Sequence, residues 1–213
     1  MYDKSTADIW IKNYESRKDI FRVKYLEPYL KRIMNKAPKN AKILDVGCGW
    51  GTAAKFLRKG QEYCGIDPNT AFFDYIRSKF KGQIKLIEGS LPSDAKVDNE
   101  SYDLVICSLV LHNIGDIKAS IEALFSKAKT SAKVIIVELN DHSHQMIKKR
   151  FDSFDIKKKN HVKGNFIFPS GLKIKTEVYF YKETDCEREI RKYGIFTKKY
   201  IGPIFVAYEA IKI

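Results

Sequence analysis

Ile43-Leu44-Asp45-Val46-Gly47-Cys48-Gly49-Trp50-Gly51 is the stretch on which the fold turns. A short apolar run carrying one acid leads into three glycines at alternate positions. The pattern reads as a strand end, a tight loop and then a helix start, expected over Thr52–Arg58. Glycines let a backbone approach a ligand closely and take dihedrals that side chains forbid. A following helix would present free N–H groups to an anion. The dinucleotide fingerprint needs G-x-G-x-x-G. Here the spacing is G-x-G-x-G, and Thr52 stands where the third glycine belongs. Asp45, two positions before the first glycine, would repel a pyrophosphate and suit a cationic or ammonium group.

Working outward, apolar runs predict strands at Tyr63–Ile66, Ile84–Glu88, Asp103–Val110 and Val134–Leu139. Helical spacing falls between them, over Asn69–Phe80 and Ile117–Lys129, with Leu91–Glu100 irregular. Strands alternating with helices imply βαβ units and a parallel sheet. Strands covered on both faces read as continuous apolar runs, as LVICSLV does. Residues 1–40 read as an N-terminal helical cap, with helices within 5–36, and 41–213 as the main domain. Past residue 140 the pattern changes. Ser143–Ile156 looks helical and basic. Val162–Phe168 and Leu172–Tyr181 read as a hairpin, within an addition at about 160–182, turned by Pro169-Ser170-Gly171. Thr184–Tyr193 reads as a helix, opened by a Thr184–Glu187 capping box and stopped by Gly194. Phe205–Ile213 reads as a closing strand.

The chain has 213 residues, 44% of them apolar, enough for one sizeable core. No apolar run approaches the ~20 residues of a membrane helix, and the N-terminus lacks a secretory apolar region. Four scattered cysteines without a Cys-x-x-Cys pair argue for a reducing cytoplasm, with neither disulfides nor a zinc site. The net charge is +13, and it lies on the flanks. Residues 1–40 carry ten basic against five acidic side chains, 41–140 thirteen against twelve, and 141–213 sixteen against nine. An anionic acceptor, a small molecule or RNA, is one reading of those flanks. Surface solvation by a lysine-rich composition is the other.

Asp45-Val46-Gly47-Cys48-Gly49-Trp50-Gly51 resembles motif I of the class I S-adenosylmethionine (SAM) dependent methyltransferases. Three more segments match in order. Tyr63-Cys64-Gly65-Ile66-Asp67-Pro68 resembles the second strand, whose terminal acid binds ribose hydroxyls. Ile87-Glu88-Gly89-Ser90-Leu91 resembles the end of the third strand, beside the adenine, with Ser90 where many relatives carry an acid. Tyr102–His112 resembles the fourth strand, which runs to the reacting methyl.

The resemblance implies a Rossmann-like, doubly wound α/β sheet of seven strands, mostly parallel with an antiparallel C-terminal strand, and an N-terminal helical lid. It implies SAM as cofactor and S-adenosyl-L-homocysteine as product. Asp45, Gly47, Cys48, Gly49, Trp50 and Gly51 would hold the cofactor from the first strand. Asp67 and Pro68, then Ser90 and Leu91, then Ser108 and Leu109, would hold it from the other three. Trp10 and Tyr14, at i and i+4 on the first helix, would close over it.

Methyl transfer from a sulfonium is an in-line displacement, so the enzyme must chiefly position the acceptor. A base is needed where the acceptor keeps its proton. His112, following the fourth strand, is the candidate base, since unperturbed imidazole titrates near neutrality. Glu138 and Asn140 end the fifth strand and are candidates to line the acceptor pocket. His142 and His144 form a His-x-His pair without a third ligand, so no metal is expected. No Asp/Asn-Pro-Pro-aromatic motif follows the fourth strand, and Cys107 lies inside it, which argues against exocyclic-amine and cytosine C5 chemistry. Phe166, Phe168, Tyr179, Phe180 and Tyr181 would form a second wall or a sheet core. The expected function is methylation of an O or N atom of a small molecule. RNA methylation is the alternative, and a non-catalytic SAM-binding partner the third reading.

Overall fold

The structure, a computed structural model, describes residues 4–17, 19–93, 97–158, 160–168 and 170–213. Its centre is a seven-stranded sheet in the order β3-β2-β1-β4-β5-β10-β9. The strands are β1 (Lys42–Val46), β2 (Glu62–Asp67), β3 (Gln83–Glu88), β4 (Tyr102–Ser108), β5 (Ala128–Leu139), β9 (Gly194–Ile201) and β10 (Phe205–Lys212). The pairings from β3 through β5 are parallel, and β10 runs antiparallel to both of its neighbours. The expected Rossmann-like sheet, mostly parallel with an antiparallel C-terminal strand, is what the chain forms.

Alternate residues of the central strands enter two cores. Leu44, Val46, Val105, Cys107 and Ile136 meet α4 (Ile117–Lys127) and α6 (Glu183–Ile190) on one face. Ile43, Tyr63, Ile106, Ile135 and Val137 meet α2 (Glu27–Lys36) and α3 (Ala71–Lys79) on the other. Burial on both faces is why β4 reads as an unbroken apolar run. Asp116 starts α4 by accepting a hydrogen bond from the Ala119 N–H at 3.0 Å.

Several expectations are corrected. The helix expected over Thr52–Arg58 is a single 3₁₀ turn, Ala54–Phe56. Gly60 follows at once and β2 begins at Glu62, so a multi-turn helix has no room to repay its nucleation. A helix dipole therefore does not stand behind the glycine loop. The helix expected over Ser143–Ile156 stops early. It comprises only α5 (Ser143–Lys148), and Phe151–Lys158 forms β6, which pairs with β7 (His161–Ile167). Strand pairing outweighs helix propensity there. With β8 (Lys173–Tyr179) the expected hairpin becomes a three-stranded antiparallel sheet. Pro169 of the proposed turn lies outside the described residues. Around it, Gly171 takes φ +84° and its N–H bonds the Phe168 carbonyl at 2.9 Å.

The Thr184 capping box does not form, because α6 begins one residue earlier, at Glu183. Its first N–H donates instead to Asp141 Oδ1 at 3.0 Å, and Asp141 N–H donates back to Glu183 Oε1 at 3.0 Å. This reciprocal pair joins the two ends of the excursion that carries β6–β8. Gly194 does not stop a helix; it opens β9. A Cβ there would lie 2.4 Å from the Ile211 carbonyl oxygen, which only glycine permits. β9 has no counterpart among the expected elements. It is a lysine-bearing, mostly exposed edge strand, and such strands lack the apolar signal.

At the N-terminus α1 (Lys4–Glu15) is followed by a π-helical turn, Arg22–Leu26, that runs into α2. Among the described residues no helix is long and apolar enough to cross a membrane.

Candidate active site

The glycine loop sits at the carboxyl end of β1, where parallel α/β sheets bind ligands. Gly47, Gly49 and Gly51 all have positive φ, at +68°, +49° and +82°. A Cβ on Gly47 would meet Val110 Cγ2 at 2.3 Å, because the loop passes directly over the end of β4. Beside Gly49 an added Cβ would meet nothing within 4 Å, so this glycine faces open space. The Gly47 and Cys48 N–H groups both donate to the Ile66 carbonyl, at 2.8 and 3.0 Å, which ties the loop to β2.

Asp67 ends β2 and is 7% exposed. Its two oxygens accept backbone N–H groups, Gly49 at 2.8 Å and Asn69 at 2.8 Å. Burial raises its pKa, and the Asn69 and Gly49 bonds pull the other way. The acid thus fixes the loop and retains lone pairs for further donors. Asp45, two positions before the first glycine of the loop, lies within β1. It is 4% exposed and accepts the Tyr63 hydroxyl at 2.6 Å. Burial, with nearby Asp67, pushes its pKa up to about 7 against the opposing Tyr63 bond, so desolvation is the larger effect.

Three polar atoms at neighbouring strand ends are buried without hydrogen-bond partners: Trp50 Nε1, Asn69 Nδ2 and Ser108 Oγ. Buried polar atoms are rarely left so. Together with the open side of Gly49 and the acid of β2, they fit a polar ligand with hydroxyl and amino groups. Leu109, next to Ser108, holds φ +60°, a strained value for leucine, with its N–H on the Val137 carbonyl at 2.8 Å. Ser90 and Pro68 are exposed, whereas Leu91 is a core residue beside Ile87. Cys48 is buried, with Sγ over Gly65, and burial pushes its thiol pKa up.

Two aromatic side chains of α1 come to the loop. Trp10 stacks on Trp50 at 5.6 Å, and Tyr14 tilts against the same ring at 5.3 Å. Phe72 of α3 closes the far edge of Trp50. Trp10 also meets Phe168 edge-on at 4.4 Å, Phe168 meets Phe166, and Phe166 meets Phe151. An unbroken aromatic line therefore runs from the glycine loop through α1 to the three-stranded sheet. Ser170 Oγ donates to Asn13 Oδ1 at 2.9 Å and fastens the same junction.

His112 lies in a 3₁₀ turn, Leu111–Asn113, just past β4. Its Nδ1 is 2.7 Å from Glu138 Oε2. Glu138, 6% exposed at the end of β5, also accepts the Val110 and Leu111 N–H groups through Oε1, at 2.9 and 2.8 Å. A carboxylate oxygen accepts, so Nδ1 is the donor of this bond and Nε2 is the ring nitrogen that Glu138 does not hold. The sequence marked His112 and Glu138 separately; the fold makes them a dyad. Tyr181 closes this end, its hydroxyl donating to the Ile114 carbonyl at 2.6 Å. Asn140 donates to the Pro203 carbonyl at 3.0 Å and accepts the Ser143 N–H through Oδ1 at 2.9 Å. His142 is exposed, and His144 packs edge-on against Phe180 at 5.2 Å.

Comparison with known proteins fits this geometry. The methyltransferase domain family matches residues 17–194, most of the chain. The chain belongs to the methyltransferase domain family. Solved structures share this methyltransferase's fold. A protein from Pyrococcus horikoshii has TM-score 0.71 at 17% identity, covering 90% of each chain. A TehB-like SAM-dependent methyltransferase from Corynebacterium glutamicum has TM-score 0.67 at 16% identity, covering 99% and 100%. Among curated proteins, 113 residues are 26% identical to the polyketide synthase component of lovastatin nonaketide synthase from Aspergillus terreus. That match takes 48% of this methyltransferase and 4% of the synthase, so the chain spans a small part of that relative's length.

Proposed function

We propose that this methyltransferase uses SAM and transfers a methyl group to an O or N atom of a small-molecule acceptor, with His112 as general base. The supporting observation is the His112–Glu138 dyad at the end of β4, beside the loop that carries Gly49. SAM supplies an electrophilic methyl on a sulfonium. The loop, Asp67, Asn69 and Ser108 would hold it, and the side of Gly49 leaves room for it. Glu138 keeps the His112 ring in one tautomer and stabilises the imidazolium once Nε2 has taken the acceptor proton.

The aromatic line from Trp50 to Phe151 supports an enclosed, largely apolar acceptor site in place of an open nucleic-acid track. The test uses labelled SAM with a cell extract separated by size. Label confined to the small-molecule fraction is expected; RNase-releasable label in large material would overturn the acceptor class. In His112→Ala, turnover should fall by about 10²–10⁴-fold while S-adenosyl-L-homocysteine affinity stays within a factor of about two.

A further inference from the structure

His112 sits in an element too short to hold itself. The 3₁₀ turn Leu111–Asn113 is closed by the Asn113 N–H on the Val110 carbonyl at 2.8 Å and the Ile114 N–H on the Leu111 carbonyl at 2.9 Å. A single turn does not repay the backbone entropy that it fixes. Its ends leave polar groups that need outside partners. At the near end Glu138 takes the Val110 and Leu111 N–H groups. At the far end the Ile114 carbonyl takes the Tyr181 hydroxyl at 2.6 Å, across 67 residues of chain.

Tyr181 is itself held from the three-stranded sheet. It lies two residues past β8, and its ring stacks on that of Tyr179 at 6.1 Å and 11°. Tyr179 in turn stacks on His161, its partner across β7 and β8, at 4.2 Å and 10°. The three rings make a ladder rooted in the sheet. β8 lies against the 3₁₀ turn. Gly115 permits that approach, since a Cβ there would stand 3.2 Å from the Tyr179 hydroxyl oxygen. Burial raises the pKa of the Tyr181 phenol, and Tyr179, Asp116 and Glu138 add to the effect, so the hydroxyl keeps its proton and donates.

We propose that Tyr181 is a positioning residue for His112, its hydroxyl fixing the far end of the turn whose near end Glu138 holds. This inference rests on the reading of His112 as the base. A base must stay within hydrogen-bond reach of the proton it takes, and small misplacements are costly. The ladder that carries Tyr181 belongs to the three-stranded sheet, so the placing of that sheet sets the placing of the base.

Tyr181→Phe tests it, because this change removes the hydroxyl and keeps the ring in the ladder. The rate at which label passes from SAM to the small-molecule fraction of a cell extract should fall about tenfold or more. Calorimetry should find S-adenosyl-L-homocysteine affinity within about twofold of the parent chain. In a His112→Ala background the same substitution should change the rate less than about twofold, since groups that act as one unit are not additive. NMR of the histidine ring nitrogens gives a readout independent of turnover. The His112 signals, assigned by their loss in His112→Ala, should shift in Tyr181→Phe while those of His142 and His144 stay in place. An unchanged rate in Tyr181→Phe would overturn the proposal. So would an equal loss in both backgrounds, or unmoved His112 signals. A His112→Ala chain that keeps the parent's rate would overturn the base reading itself, a result distinct from these, and the ring signals would then still judge the hold on the turn.

Discussion

At the scale of single residues, two buried acids with similar sequence settings have opposite surroundings. Asp67 takes two backbone N–H bonds, whereas Asp45 has one phenol and a neighbouring acid. The consequence is a pH dependence with a definite sign. Asp45 rises from an ordinary 3.8 to about 7 in the folded chain. Below 3.8 both folded and unfolded chains hold that proton. Between 3.8 and about 7 only the folded chain holds it, so stability falls as pH rises through this window and levels off above it. Glu209 acts oppositely. Arg32 and Lys199 outweigh its burial and hold it at about 2, so its contribution fades only as pH falls below about 4.5. Melting temperature measured from pH 5 to 8 should therefore decline in the parent chain. In Asp45→Asn the decline should flatten; an unchanged slope would place the titrating group elsewhere. Gly47→Ala tests the loop. A Cβ at φ +68°, 2.3 Å from Val110, adds strain and a clash, and should cost more than about 1 kcal/mol in chemical denaturation. The need for these glycines was legible in sequence because it is local. The His112–Glu138 contact was not, since 26 residues separate its partners and only the β4–β5 pairing brings them together.

Among the elements, α1 has the clearest role to test. Its Trp10 bridges Trp50 of the loop and Phe168 at the end of β7, two contacts worth roughly 0.5–1.5 kcal/mol each beyond area burial. Trp10→Ala should speed S-adenosyl-L-homocysteine dissociation about five- to tenfold in stopped-flow measurements, with little change in association. Equal dissociation rates would reduce α1 to a scaffold. Elements with a strong periodic signature were read correctly, β1, β4 and α4 among them. β6 and β9 escaped because both depend on pairing partners. β6 follows a short helix whose basic continuation looks helical, and β9 presents lysines to solvent at the sheet edge. The expected helix after the glycine loop failed for want of length, a constraint set by where β2 must begin.

For the whole molecule, the parallel half of the sheet carries the loop and the acids, and the excursion between β5 and α6 supplies the opposing wall. Asp141 and Glu183 exchange N–H bonds at the two feet of that excursion, and Glu183 is also held by Lys198 and Tyr200. A segment with its ends stapled together leaves and re-enters the core at one point. Closing a shorter loop across those feet costs little, since closure entropy changes slowly with length. Replacement of residues 142–182 by a short Gly-Ser linker should therefore leave a folded chain that still binds S-adenosyl-L-homocysteine but no longer methylates. Loss of cooperative unfolding in that variant would show the wall to be part of the core. A stapled excursion of this kind is also a cassette that recombination can exchange. Lineages could then acquire new acceptors by swapping one stretch of coding sequence, without rebuilding the cofactor loop or the sheet beneath it.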